Sequence, residues 1–105
     1  MSRVVVFAPN LMDRSKIAAA VPNRDIAFVA AASALPSAAA EAQVVVIDLT
    51  RLGALDPLGQ LPEGVRSIGF GSHVDTELLR AASAAGCGTV LPRSRFFAEV
   101  DQLLA

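Results

Sequence analysis

Short unbroken apolar runs alternate along the chain with segments whose apolar residues recur at helical spacing. Val4-Val5-Val6-Phe7 has no polar position and is closed by Ala8-Pro9-Asn10. Such a run predicts a strand buried on both faces, because a half-exposed strand would alternate apolar and polar residues. Leu11, Met12 and Ile17 to Ala20 then follow a loose helical period, with Asn10 as the candidate N-cap and Val21-Pro22-Asn23 as the stop. Ile26 to Ala30 predicts a second strand, and the alanine-rich stretch from Ser33 to Ala42 predicts a short helix starting near Pro36.

Val44-Val45-Val46-Ile47 is the strongest strand signal, and it ends on the carboxylate of Asp48. Between Thr50 and Val65, glycines at 53, 59 and 64 and prolines at 57 and 62 allow at most a short helix. Arg66 to Phe70 reads as a fourth strand, ending at Gly71-Ser72-His73. A helix over Thr76 to Ala85 carries Leu78, Leu79, Ala82 and Ala85, with Asp75 or Thr76 as N-cap and Gly86 as the stop. Thr89 to Leu91 makes a fifth strand before Pro92. Ser94 to Leu104 closes the chain as an amphipathic helix, with Phe97, Val100, Leu103 and Leu104 expected on its apolar face.

Strands alternating with helices predict a parallel sheet covered on both faces, with right-handed crossovers. Five units in 105 residues suit one α/β domain, residues 1–105, of the flavodoxin-like, doubly wound kind: a five-stranded parallel sheet of order 2-1-3-4-5 in a three-layer α/β/α arrangement. Sites in such sheets lie beyond the carboxyl ends of the strands. That edge carries Ala8-Pro9-Asn10, Asp48-Leu49-Thr50, Gly71-Ser72-His73 and Pro92-Arg93-Ser94.

Composition narrows the function. The chain is 53% hydrophobic and 18% charged, which excludes intrinsic disorder, yet no apolar run approaches the roughly 18 to 20 residues needed to span a bilayer. A net charge of −1, with no Trp or Tyr, argues against nucleic-acid binding. The start, Met1 to Phe7, lacks the pattern of a signal peptide, so a cytoplasmic protein is expected. No glycine precedes position 53, which excludes a dinucleotide fingerprint or a P-loop after the first strand. One Cys and one His cannot build a structural zinc site, and no nucleophile elbow is present. No cofactor and no catalytic activity are therefore expected.

Each candidate residue at the strand ends has a plainer reading. Asp48 could cap its own turn, and Ser72 could bond its own backbone. His73, the one histidine, could serve as a switch but also suits a solvated loop. Arg93 and Arg95 form a close basic pair before a helix N-terminus, where an anion or an acidic partner would be favoured. Cys87, between glycines, suits packing at a turn.

The order of strands and helices, Asp48 after Val44-Val45-Val46-Ile47, Arg93 after the fifth strand and Ser72 after the fourth resemble a receiver domain of two-component response regulators over essentially the whole chain. The resemblance implies a phosphoacceptor position at Asp48, a small hydroxyl at Ser72 and a basic residue at Arg93. The chain departs from the family at the acidic pair that holds Mg²⁺, where it has Ala8-Pro9 with Asn10 just beyond. A hard cation wants carboxylate oxygens, so weak Mg²⁺ binding at most is expected. Arginine stands where the family has lysine, and Ser94 where it has proline.

These departures resemble a pseudo-receiver: a stand-alone signalling or interaction module, without catalysis, that meets a protein partner through the last two strand–helix units. A homodimer is left open. The alternatives are a phosphoryl-accepting receiver with Asp48 as acceptor, or a small-anion sensor in which Arg93 and His73 grip the anion in the same cleft.

Overall fold

A computed structural model describes residues 3–105. The reading of the Met1 to Phe7 start as no signal peptide falls partly outside them, at Met1 and Ser2. The strands are β1 (Arg3–Phe7), β2 (Asp25–Phe28), β3 (Val44–Asp48), β4 (Arg66–Gly71) and β5 (Thr89–Pro92). The helices are α1 (Leu11–Ala20), α2 (Leu35–Ala38), α3 (Thr76–Ala84) and α4 (Arg93–Leu103). All strand pairs are parallel and the order is β2-β1-β3-β4-β5, as the alternation of elements implied.

The unbroken valine runs are explained by the two layers of helix. Val4, Val6, Val44 and Val46 face α1 and α4, packing with Ile17, Phe96, Val100 and Leu104. Val5, Phe7, Val45 and Ile47 face the other way, toward Leu35, Ala39, Leu58 and Ala82. Successive strand residues point to opposite faces, so a strand covered on both sides has no position for a polar residue.

Local chemistry sets the helix ends. Asn10 caps α1, its side-chain oxygen accepting from the Met12 and Asp13 amides at 2.9 and 3.2 Å. Asp75 caps α3 through the Leu78 amide at 3.1 Å. Gly86, at φ +107°, turns the chain out of that helix toward β5.

The alanine-rich segment forms the expected short helix near Pro36, one α-helical turn flanked by 3₁₀ turns at Ala32–Ala34 and Ala39–Glu41. Two expectations change. β2 starts one residue earlier than expected and ends at Phe28. The apolar face of α4 is centred on Phe96, fully buried with Val100 and Leu104, while Phe97 and Leu103 are only partly covered. Positions 96, 100 and 104 lie four apart and stack on one stripe. Phe96 also stacks on Phe70 of β4, ring centres 4.7 Å apart and planes at 16°.

Candidate functional site

The carboxyl ends of β1, β3, β4 and β5 lie side by side, so the loops after them share one edge. Asp48 is the last residue of β3 and is buried. One carboxylate oxygen accepts from the Thr50 amide at 3.0 Å and the Thr50 hydroxyl at 2.6 Å. The other accepts from Arg51 Nε at 3.3 Å. The acid thus ends its strand, caps its own turn and is neutralised from three residues away.

The second charged centre joins distant segments. Arg93 begins α4, and its guanidinium donates through both terminal nitrogens to the two carboxylate oxygens of Asp13, one contact at 2.9 Å. Asp13 sits in the first turn of α1 with its side chain 2% exposed, whereas Arg93 is 45% exposed. The same guanidinium lies over Phe97 and Phe70, 4.9 and 5.7 Å from the ring centres. The Asp13 hydrogen bonds raise the Arg93 pKa, and the Coulombic pull of Asp13 and then Asp48 adds to the rise despite partial burial. Arg93 therefore feels both acids while bonding one.

The remaining candidates are occupied or solvated. The Asn10 carbonyl oxygen is committed to the α1 cap. Ser72 Oγ accepts from the Val74 amide at 3.4 Å, a turn contact within its own loop. His73 is exposed. Arg95 does not share a free basic surface with Arg93: its Nε donates to Glu99 on the same helix at 2.9 Å. Cys87 is buried and donates its thiol to the Thr89 carbonyl oxygen at 3.3 Å; burial pushes its pKa up, and hydrogen bonding only partly opposes this.

Two participants are absent from the sequence reading. Asp13 looks like an ordinary acid at a helix start, where it complements the helix dipole, and nothing local points to a partner 80 residues away. Arg14 donates from Nε to the Ala8 carbonyl oxygen at 2.9 Å and lies 5.3 Å from the Phe28 ring centre, bracing the end of β1 against β2. A cleft of about 320 Å³ does open on this edge, between the loops after β2 and β3. Ala32, Pro36, Leu52 and Asp56 help line it, and none of Asp48, Ser72, His73 or Arg93 does.

No protein-family model matches the sequence, and no curated protein matches it. Solved structures do. A response regulator from Hahella chejuensis superposes with a TM-score of 0.83 at 18% identity, over 99% of this chain and 92% of that one. The phosphorylated cyanobacterial phytochrome response regulator RcpA gives 0.78 at 13% identity, over 97% and 90%. A Burkholderia pseudomallei response regulator, solved with a phosphorylated aspartic acid, calcium ion and citrate, gives 0.78 at 16%, over 100% and 67%.

This is the receiver fold. Within it, the divalent cation that the receiver resemblance implies can be tested against the donors present. Asp48 has both oxygens engaged by Thr50 and Arg51, and Asp13 faces a guanidinium that already neutralises it. Among the described residues, no three His, Cys, Asp or Glu side chains gather closely enough to hold a metal ion. Mg²⁺ is held by one or two carboxylates with waters completing its octahedron, and at this edge Asp48 and Asp13 are already engaged by protein donors. Among the described residues, no helix of this receiver fold is long and apolar enough to cross a membrane.

Proposed function

We propose that this chain is a receiver-like signalling module that works by binding a protein partner, without phosphoryl chemistry of its own. The observation carrying this reading is the way the edge closes on itself: Asp48 is held by Thr50 and Arg51, and Arg93 is held by Asp13. An acceptor carboxylate must present an oxygen to an incoming phosphoryl group, with cations near enough to offset the added charge. Here both Asp48 oxygens are engaged in hydrogen bonds with Thr50 and Arg51, and the basic residue after β5 is clamped to α1. The partner surface is the outer side of the last two strand–helix units, as the receiver resemblance suggests.

A phosphoryl-accepting receiver is the second reading. It draws on the placement of Asp48 at the end of β3, on the Arg93 charge within its electrostatic reach, and on neighbours of this fold whose structures contain a phosphorylated protein or aspartic acid. Incubation with a small-molecule phosphodonor and Mg²⁺, followed by intact-mass spectrometry, separates the two. The proposal expects an unmodified chain. A phosphoryl adduct that disappears in Asp48→Asn would establish the second reading instead.

A further inference from the structure

The cleft of about 320 Å³ between the loops after β2 and β3 takes no part in the contacts that close the edge around Asp48 and Arg93. Asp56 is the one charged residue that lines it. Among the described residues the ion pairs are Arg3–Asp25, Arg51–Asp48, Arg93–Asp13 and Arg95–Glu99, and Asp56 enters none of them. A neighbouring opening of about 460 Å³ shares Leu52, Gly53 and Asp56 and adds Arg51, whose guanidinium is already held by Asp48. The cleft therefore carries an acid with no cation of its own.

The rest of the lining says what kind of cation fits. Ser33 and Gln60 are its other polar side chains, and they come from the 3₁₀ turns Ala32–Ala34 and Asp56–Gln60 on either side. Ala32, Pro36, Leu52 and Pro57 supply apolar wall. An added Cβ at Gly53 would stand 3.6 Å from Asp56 Oδ2, so that glycine, at φ +77°, keeps the ground beside the carboxylate open. Pro36 and Pro57 fix the backbone of both flanking segments, which lowers the ordering cost of binding.

A carboxylate, a hydroxyl and an amide oxygen offer three separate acceptors beside an apolar surface. A primary ammonium carries three donors and no acceptor on a compact charge, and its hydrocarbon stem lies along apolar wall while the head stays at the polar groups. An anion would meet Asp56 with no positive charge in the cleft to offset it. A neutral apolar molecule would cover the carboxylate without pairing it, which is costly. The chemistry selects an amine.

We propose that this cleft binds a primary ammonium group on a short hydrocarbon stem, with Asp56 as counterion, Ser33 and Gln60 as further acceptors, and Pro36, Leu52 and Pro57 along the stem. A free alkylamine and a lysine side chain of another protein share this chemistry. The volume lies at the small end of the roughly 300–1,000 Å³ that ligand sites occupy, as a ligand of this size requires. The site goes beyond partner binding through the last two strand–helix units, and it stands whether or not Asp48 accepts a phosphoryl group.

Amide NMR of the labelled whole chain, titrated with n-butylammonium chloride to about 50 mM at constant ionic strength, tests it, since so small a ligand in an open cleft implies a Kd on the order of 1 to 10 mM. The proposal expects saturable shifts at Ser33, Gly53, Asp56 and Gln60. Asp56→Asn should weaken binding by at least about tenfold, with circular dichroism unchanged because the side chain is exposed. Glu77→Gln, which removes an acid outside the cleft, should leave it intact. n-Butanol, with the same stem and no charge, and sodium butyrate, with the opposite charge, should each bind at least about tenfold more weakly. Nα-acetyl-lysine methylamide presents the same group from a peptide: binding as tight as butylammonium or tighter assigns the cleft to a lysine of a partner, and weaker binding assigns it to a free amine. Absence of saturable shifts with both cations, binding indifferent to Asp56→Asn, or butanol matching butylammonium would overturn the proposal.

Discussion

Replacing Arg93 with alanine should destabilise the protein even though that side chain is 45% exposed, because the acid it leaves behind is not. Asp13 is 2% exposed at its side chain and takes both of its side-chain hydrogen bonds from Arg93. Breaking a fully buried pair by removing one partner costs about 3 to 5 kcal/mol, whereas an exposed pair contributes about 0 to 1. The half-exposed guanidinium places this pair between those limits, because water can enter the space that Arg93 vacates, and a cost of about 2 kcal/mol follows. For a domain of this size that is a fall in Tm of roughly 10 °C. Arg93→Lys should cost less, keeping a charge but losing the fork that meets both carboxylate oxygens. A double-mutant cycle with Asp13→Ala isolates the pair and should return a coupling of about 1 to 2 kcal/mol in urea melts. An Arg93→Ala change within about 0.5 kcal/mol of wild type, with no coupling, would show that Asp13 finds another partner or water, and that the edge is not closed by this contact.

Two further perturbations address the core and its one thiol. Phe96→Ala should cost about 3 to 5 kcal/mol by denaturant melt, because it empties a fully buried position stacked on Phe70, whereas Phe97→Ala, at a partly covered site, should cost clearly less. Burial holds the Cys87 thiol above its ordinary pKa of 9.0, so the unfolded chain loses that proton first as pH rises. The stability this contributes is complete below pH 9.0 and declines as pH climbs through the folded value; melts across that range should show the decline, and Cys87→Ala should flatten it.

The parts of this fold that were legible in the sequence are those written in consecutive residues. Val4 to Phe7 and Val44 to Ile47 declare buried strands because every position must face a helix layer, and Asp48, Ser72 and Arg93 are placed simply by ending or following a strand. Asn10 and Gly86 announce helix ends through conformational preferences that need no tertiary partner. What escaped depends on pairing across the chain. Nothing near Asp13 distinguishes a helix-start acid that meets solvent from one that clamps Arg93, so the edge reads as having one carboxylate where the structure places a second. Phe96 was readable, since it stands four and eight residues before Val100 and Leu104, but the neighbouring Phe97 offered a competing stripe.

The central claim is that the carboxyl edge of this receiver fold is closed by its own ion pairs and does not take up the cation and phosphoryl group that the receiver resemblance implies. Amide NMR spectra of the labelled chain, titrated with Mg²⁺ to about 10 mM and then with beryllofluoride, measure this at the residues concerned. Asp48, Thr50, Arg51 and Ser72 should show no saturable shift at either stage. Saturable changes at these amides below about 1 mM Mg²⁺, strengthened by beryllofluoride and lost in Asp48→Asn, would contradict the account and make Asp48 an open acceptor site.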